Sequence, residues 1–189
     1  MNLRALPPLL GCFLIVACAP TREPLDLARQ ALAEHAAQGP ILAVIRGQPA
    51  GVDEELRDAA VTEQLARGIS GLRASFTTDP ARAATTDPRL LVVLNPVDDP
   101  PATLACTDPD RIATGPAGQE LAVLAVFCRG DEPLGVVRQR GAAPGLDTRQ
   151  AQRLLWRTGA QLFPDDYWRT YGFNLIPGID IGVGGTFGF

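Results

Sequence analysis

Two short apolar runs, Ile41-Leu42-Ala43-Val44-Ile45 and Leu90-Leu91-Val92-Val93-Leu94, constrain the fold of this chain more than any other feature. A strand with one wet face alternates apolar and polar residues. A short run without that alternation, rich in β-branched residues, reads as a strand buried on both faces. A third run covers residues 121–127 and leads through the turn Arg129-Gly130-Asp131-Glu132 into residues 134–138, an antiparallel hairpin partner. Leu72, Ala74 and Phe76 alternate with polar neighbours, so residues 72–77 are expected to form a half-exposed strand.

Helical patterns separate these strands. Residues 25–38 place Leu25, Ala28, Leu32 and Ala36 on one side before Gly39-Pro40 stops the run. The next helix runs from Asp53 to about Arg67. Asp53, Glu54 and Glu55 lie in its first turn, where the macrodipole favours acids. Asp53–Arg57 and Glu63–Arg67 read as i,i+4 pairs on its wet face, and Gly68 and Gly71 end it. Asp147 opens the last helix, with Ala151, Leu154, Leu155, Thr158 and Leu162 on one face and Pro164 closing it. The expected architecture is mixed α/β: a single sandwich domain with a sheet of about five strands and flanking helices, including a right-handed βαβ unit near its start.

Three Thr-Asp-Pro copies begin at Thr78, Thr86 and Thr107 and read as punctuation, because Asp followed by Pro starts turns and helices. Calcium-loop spacing is missing from them, and no metal or other cofactor is expected. Residues 95–119, with five prolines, read as a loop, and an unstructured loop of that length is unusual inside a compact domain. The order of elements over residues 40–163 distantly resembles the periplasmic α/β domains of curli-assembly lipoproteins and of lipoprotein activators of penicillin-binding proteins. The long loop and its cysteine depart from that pattern, and no functional residue carries over.

The first residues address the chain. Arg4 is the only charge before Arg22, and a short apolar stretch reaches Ala17. Such a stretch reads as a secretory signal peptide and is too short and Pro-interrupted to span a bilayer comfortably. Leu14-Ile15-Val16-Ala17-Cys18 resembles the lipobox of bacterial lipoproteins. That resemblance implies cleavage before Cys18, a diacylglycerol on its sulfur and usually a third acyl chain on its amine; an ordinary signal peptide cut elsewhere is the competing reading. At about 0.8 kcal/mol per buried methylene, two or more chains anchor stably. Ala19 after the cysteine favours the outer membrane in enterobacterial relatives of the motif. The expected division is signal peptide 1–17, lipidated tether 18–24, periplasmic domain 25–166 and apolar aromatic tail 167–189.

Removal of the signal takes one of the 17 basic residues, all arginine, leaving 16 against 21 acids and a net charge of −5. That balance opposes nucleic-acid binding and simple electrostatic docking to anionic lipid. Of the four cysteines, Cys12 leaves with the signal and Cys18 takes the lipid. Cys106 and Cys128 remain, and in an oxidising compartment they either pair or stay as two free thiols, pairing being the simpler reading.

The catalytic inventory is thin. His35 is the only histidine and sits on the first helix; Ser70 and Ser75 are the only serines of the mature chain, and neither lies in a nucleophile elbow. Asp98-Asp99, Asp131-Glu132 and Asp165-Asp166 are the acid pairs that a glycosidase-like mechanism would draw on, although each lies in an expected turn. No phosphate-binding glycine loop is present. The tail holds Tyr167, Trp168, Tyr171, Phe173, Phe187 and Phe189, and its end is similar to the last strand of outer-membrane barrels. One strand cannot close a barrel. The tail therefore covers the sheet, adds to a partner's edge strand through residues such as Tyr171, Phe173, Phe187 and Phe189, or lies at a membrane interface or disordered. The expected function is non-enzymatic: a lipoprotein held by Cys18 at the outer membrane, facing the periplasm, that binds or supports another envelope protein or component. An acid-only hydrolase of cell-wall polymer is the alternative.

Overall fold

The structure, a computed structural model, describes residues 24–165 except 50, 51 and 117. Cys18, the residues 14–17 expected to form a lipobox with it, and the aromatic positions Tyr171, Phe173, Phe187 and Phe189 lie outside the described residues. The elements are α1 (Pro24–Ala36), β1 (Ile41–Arg46), α2 (Glu54–Gly68), β2 (Phe76–Thr77), β3 (Thr85–Leu94), α3 (Ala102–Thr107), a 3₁₀ turn (Pro109–Arg111), β4 (Glu120–Arg129), β5 (Glu132–Ala142) and α4 (Arg149–Leu162). They form one mixed sheet in the order β2-β1-β3-β4-β5. β1 is parallel to β2 and β3, while β4 is antiparallel to β3 and β5. The α/β sandwich with five strands and flanking helices is the architecture the apolar runs imply.

Helices α1, α2 and α4 cover one face of the sheet. Ile41, Ala43, Leu90, Val92, Leu94, Val123 and Phe127 point into this main core, where Leu32, Leu65, Leu155, Leu162 and Phe163 meet them. Phe163 sits edge-on to Phe127, with ring centroids 5.0 Å apart, and stacks on Phe76 at 6.4 Å. Such aromatic pairs add roughly 0.5–1.5 kcal/mol each beyond their burial. The β4–β5 turn places Gly130 at φ 55°, a conformation glycine adopts without strain.

Several local expectations are corrected. The strand expected over 72–77 is confined to Phe76–Thr77. The Asp79 carboxylate accepts from the Ala81 amide (2.9 Å) and the Asp79 carbonyl from the Arg82 amide (3.1 Å), which turns the chain back at once. It then passes under β1, where the Ala84 amide donates to the Pro40 carbonyl at 2.7 Å. The second Thr-Asp-Pro copy lies inside β3 and does not separate elements. It takes up a register jump, since Ile41 faces Thr85 while Ala43 faces Leu90. β1 is half-buried on one face, whereas β3 from Leu90 to Leu94 is buried on both.

Arg57 is not on a wet face. It is 5 % exposed, and its guanidinium donates to Glu54, Asp58, the Gln48 side chain and the Gly47 carbonyl, while Asp53 meets Arg57 only through the backbone, its carbonyl accepting from the Arg57 amide at 2.9 Å. Glu63–Arg67 is a surface pair at 2.6 Å. The last helix starts at Arg149 rather than Asp147, with the Thr148 hydroxyl accepting from the Ala151 amide.

Helices α2 and α4 touch through their backbones. A Cβ on Gly68 would overlap the Trp156 carbonyl oxygen, and one on Gly159 would overlap that of Leu65. Both obstacles are backbone atoms and cannot rotate away. Gly159→Ala is expected to lower stability in urea unfolding by ~3 kcal/mol, as overpacking does at its upper range. Gly118→Ala, where a Cβ meets nothing within 4 Å, serves as the unchanged reference.

Candidate functional site

The opposite face of the sheet carries its own smaller core: Leu91 and Val93 of β3 with Leu124, Val126 and Cys128 of β4. Residues 95–119 cover it, which corrects their reading as an unstructured loop. Asn95, at φ 52°, turns the chain out of β3; asparagine tolerates this left-handed conformation better than most residues. Its amide donates to the Ala122 carbonyl (2.7 Å), and its side-chain oxygen accepts from the Ala122 amide (3.0 Å). An antiparallel bridge between Pro96 and Thr114 makes a neck through which the segment leaves and returns. Beyond the neck, α3 and the 3₁₀ turn lay Ala105, Cys106 and Ile112 on the sheet.

Two kinds of interaction hold this cover. Arginines from three strands reach its backbone or its acids. Arg89 donates to the Cys106 carbonyl at the end of α3 (2.6 Å), Arg46 pairs with Asp110, and Arg138 pairs with Asp99 and donates to the Pro100 carbonyl (2.8 Å). Asp99 and Asp110 are well exposed, so these ion pairs contribute at most about 1 kcal/mol each. Cys106 and Cys128 supply the second hold: they form a disulfide with their Cα atoms 5.6 Å apart, and both residues are fully buried.

Beside the neck lies an open cleft of about 370 Å³. Asn95, Val97, Gly115, Glu120 and Arg140 help to line it. It is set where the chain leaves β3 at Asn95 and enters β4 at Glu120, with Arg140 of β5 beside them. Its charged groups are one guanidinium and one carboxylate, both on exposed residues. They can hydrogen-bond a polar ligand. A two-carboxylate mechanism would need a second acid there.

The sequence-derived groups are dispersed. The His35 ring nitrogen Nδ1 lies 2.9 Å from the Ala31 carbonyl of its own helix. Ser70 donates to the Asp165 carboxylate, and the Ser75 carbonyl accepts from the Ile41 amide. Asp98 and Asp99 belong to the cover, Asp131 and Glu132 to the β4–β5 hairpin, and Asp165 to the end of α4, while Asp166 lies outside the described residues. Among the described residues no group of three His, Cys, Asp or Glu side chains is placed to hold a metal, and no helix is long and apolar enough to cross a membrane. The cleft was missed because its lining residues are distant in sequence. Asn95-Pro96, a turn-starting pair, was the one local signal of the neck.

No family model, curated protein or solved structure matches this chain.

The disulfide closes a loop with a sequence separation of 22, for which chain entropy gives about 3 kcal/mol. The paired variant Cys106→Ser, Cys128→Ser is expected to lose about that much in urea unfolding. It should also bind a hydrophobic dye below its unfolding midpoint, as the far face of β3 and β4 opens before the helix-covered core.

Proposed function

We propose that this chain is an exported lipoprotein, cleaved before Cys18, lipidated there and held at the outer membrane facing the periplasm. Its α/β domain binds or supports another envelope component and performs no chemistry of its own. The observation that carries this reading is the bond between Cys106 and Cys128, the two cysteines left once Cys12 is removed and Cys18 acylated. A structural disulfide fits a chain that matures outside the cytoplasm, as the lipobox also requires. The dispersal of the acid pairs over three separate parts of the fold favours binding over hydrolysis. The parallel β1-α2-β2 unit, the β4–β5 hairpin turning at Gly130 and the closing helix α4 fit the distant likeness to curli-assembly and penicillin-binding-protein-activator lipoproteins. In this reading the tail aromatics Tyr171, Phe173, Phe187 and Phe189 belong to the surface offered to the partner.

Metabolic labelling with a palmitate analogue tests the anchor. The native chain should take up label and fractionate with outer membrane, and Cys18→Ala should do neither. Label retained by Cys18→Ala would overturn the reading. Affinity capture from solubilised membranes tests the binding role, with a specific set of envelope proteins expected and none in its absence.

A further inference from the structure

The two edges of the sheet are guarded unequally. The β5 edge carries Glu132, Pro133, Arg138 and Arg140, the charges and proline with which edge strands discourage further pairing. On the β1 side, residues 41–45 carry no charge and no proline. β2 pairs only with Ile41 and Leu42, because the Asp79 turn ends it after two residues. Among the described residues, Ala43, Val44 and Ile45 therefore have a strand partner on the β3 side alone, and Arg46 is the first charge along this edge. Leu42 and Val44 are half-buried, on the sheet face away from the helices. An uncharged, unpaired strand edge invites another strand.

The chain leaves the described structure beside this same edge. Phe163 stacks on Phe76 of β2, and Asp165 accepts a hydrogen bond from Ser70, six residues before β2. Arg29 fixes that exit by donating to both the Phe163 and Ser70 carbonyls at 2.9 Å. Beyond it, Ile179-Asp180-Ile181-Gly182-Val183 alternates apolar and polar or small residues, the period of a strand with one buried face. The intervening residues 166–178 can span about 40 Å at ~3.3 Å per residue, so reach does not limit the contact.

We propose that residues 179–183 of the same chain add as a strand to the open edge of β1, beyond the two residues occupied by β2. The added strand pairs with the side of Ala43–Ile45 that no described strand occupies and lays apolar side chains beside Leu42 and Val44. A tethered segment acts at an effective concentration on the order of millimolar, well above that of a second copy at ordinary protein concentrations, so the pairing is intramolecular. This inference stands independently of lipidation and of any partner.

Hydrogen–deuterium exchange of the full mature chain tests it. Amides in 43–46 should exchange at least about tenfold more slowly in the native chain than in Ile181→Pro, which retains the tail but removes an amide and bars continued pairing. A chain ending at Asp165 should match Ile181→Pro, with peptides around Cys106 and Cys128 unchanged in both. If the shortened chain loses protection throughout, Ile181→Pro alone decides. Equal exchange at 43–46 in native and Ile181→Pro chains would overturn the proposal. So would protection that rises with protein concentration alongside a dimer in light scattering, which would assign the edge to a second copy.

Discussion

Strands β3 and β4 send apolar side chains to both faces of the sheet, and burial of the second set is the requirement around which the rest of the molecule is arranged. Leu91, Val93, Leu124 and Val126 are each at most 1 % exposed on the face away from the helices. Full burial of such a side chain is worth about 1.5–3 kcal/mol, so four of them approach the net stability of a whole domain. The 95–119 segment is therefore a structural layer and not a loose lid. Yet α3 has only six residues, far below the length at which a helix holds itself in water. It persists because the sheet receives its apolar side and the disulfide ties its Cys106 to β4. The surface ion pairs of Arg46 and Arg138 orient the layer, but their magnitudes are too small to retain it.

The helix-covered face solves the same problem differently. There α2 and α4 approach until backbone meets backbone at Gly68 and Gly159. Loss of side-chain volume at the crossing allows both helices to settle against the sheet. Toward the other end of α2, Arg57 is buried with its donors met by Glu54, Asp58, Gln48 and Gly47. A buried guanidinium is tolerable only with such a complement. It ties α2 to the segment following β1 and so helps set where the crossing falls.

Periodicity made the two-sided strands, the hairpin and the three long helices legible, because each repeats its signal over several residues. The rest depended on contacts that local pattern does not carry. Gly68 read as a helix stop, although its decisive neighbour is Trp156. Arg57 had the spacing of a surface pair with Asp53, but burial redirected it to Glu54 and Asp58. Residues 72–77 alternated correctly for a strand, and the Asp79 turn ended the pairing after Phe76–Thr77. α3 was hidden by its shortness and by the flanking Pro100, Pro101 and Pro109. Of the site residues, Cys106 and Cys128 could be matched by subtraction within a chain of four cysteines. Asn95, Glu120 and Arg140 could not, since only the fold brings them to one cleft.

Arg29 links the two ends of the described chain. From α1, five residues after its first residue, it bonds the carbonyls of Phe163 and Ser70, so the polypeptide enters and leaves the domain in one neighbourhood. Under the lipoprotein reading this has a geometric consequence. Residues 18–24 extend at most about 25 Å, and the helical rise from Pro24 to Arg29 adds about 8 Å. With the Arg29 side chain, its bond to Phe163 and the residues that follow Phe163 counted as well, the start of the tail lies within about 50 Å of Cys18 in that reading. Arg29 and Phe163 lie 134 residues apart in sequence. The guanidinium of Arg29 brings α1 and the residue that follows α4 together, beside Ser70 on the approach to β2.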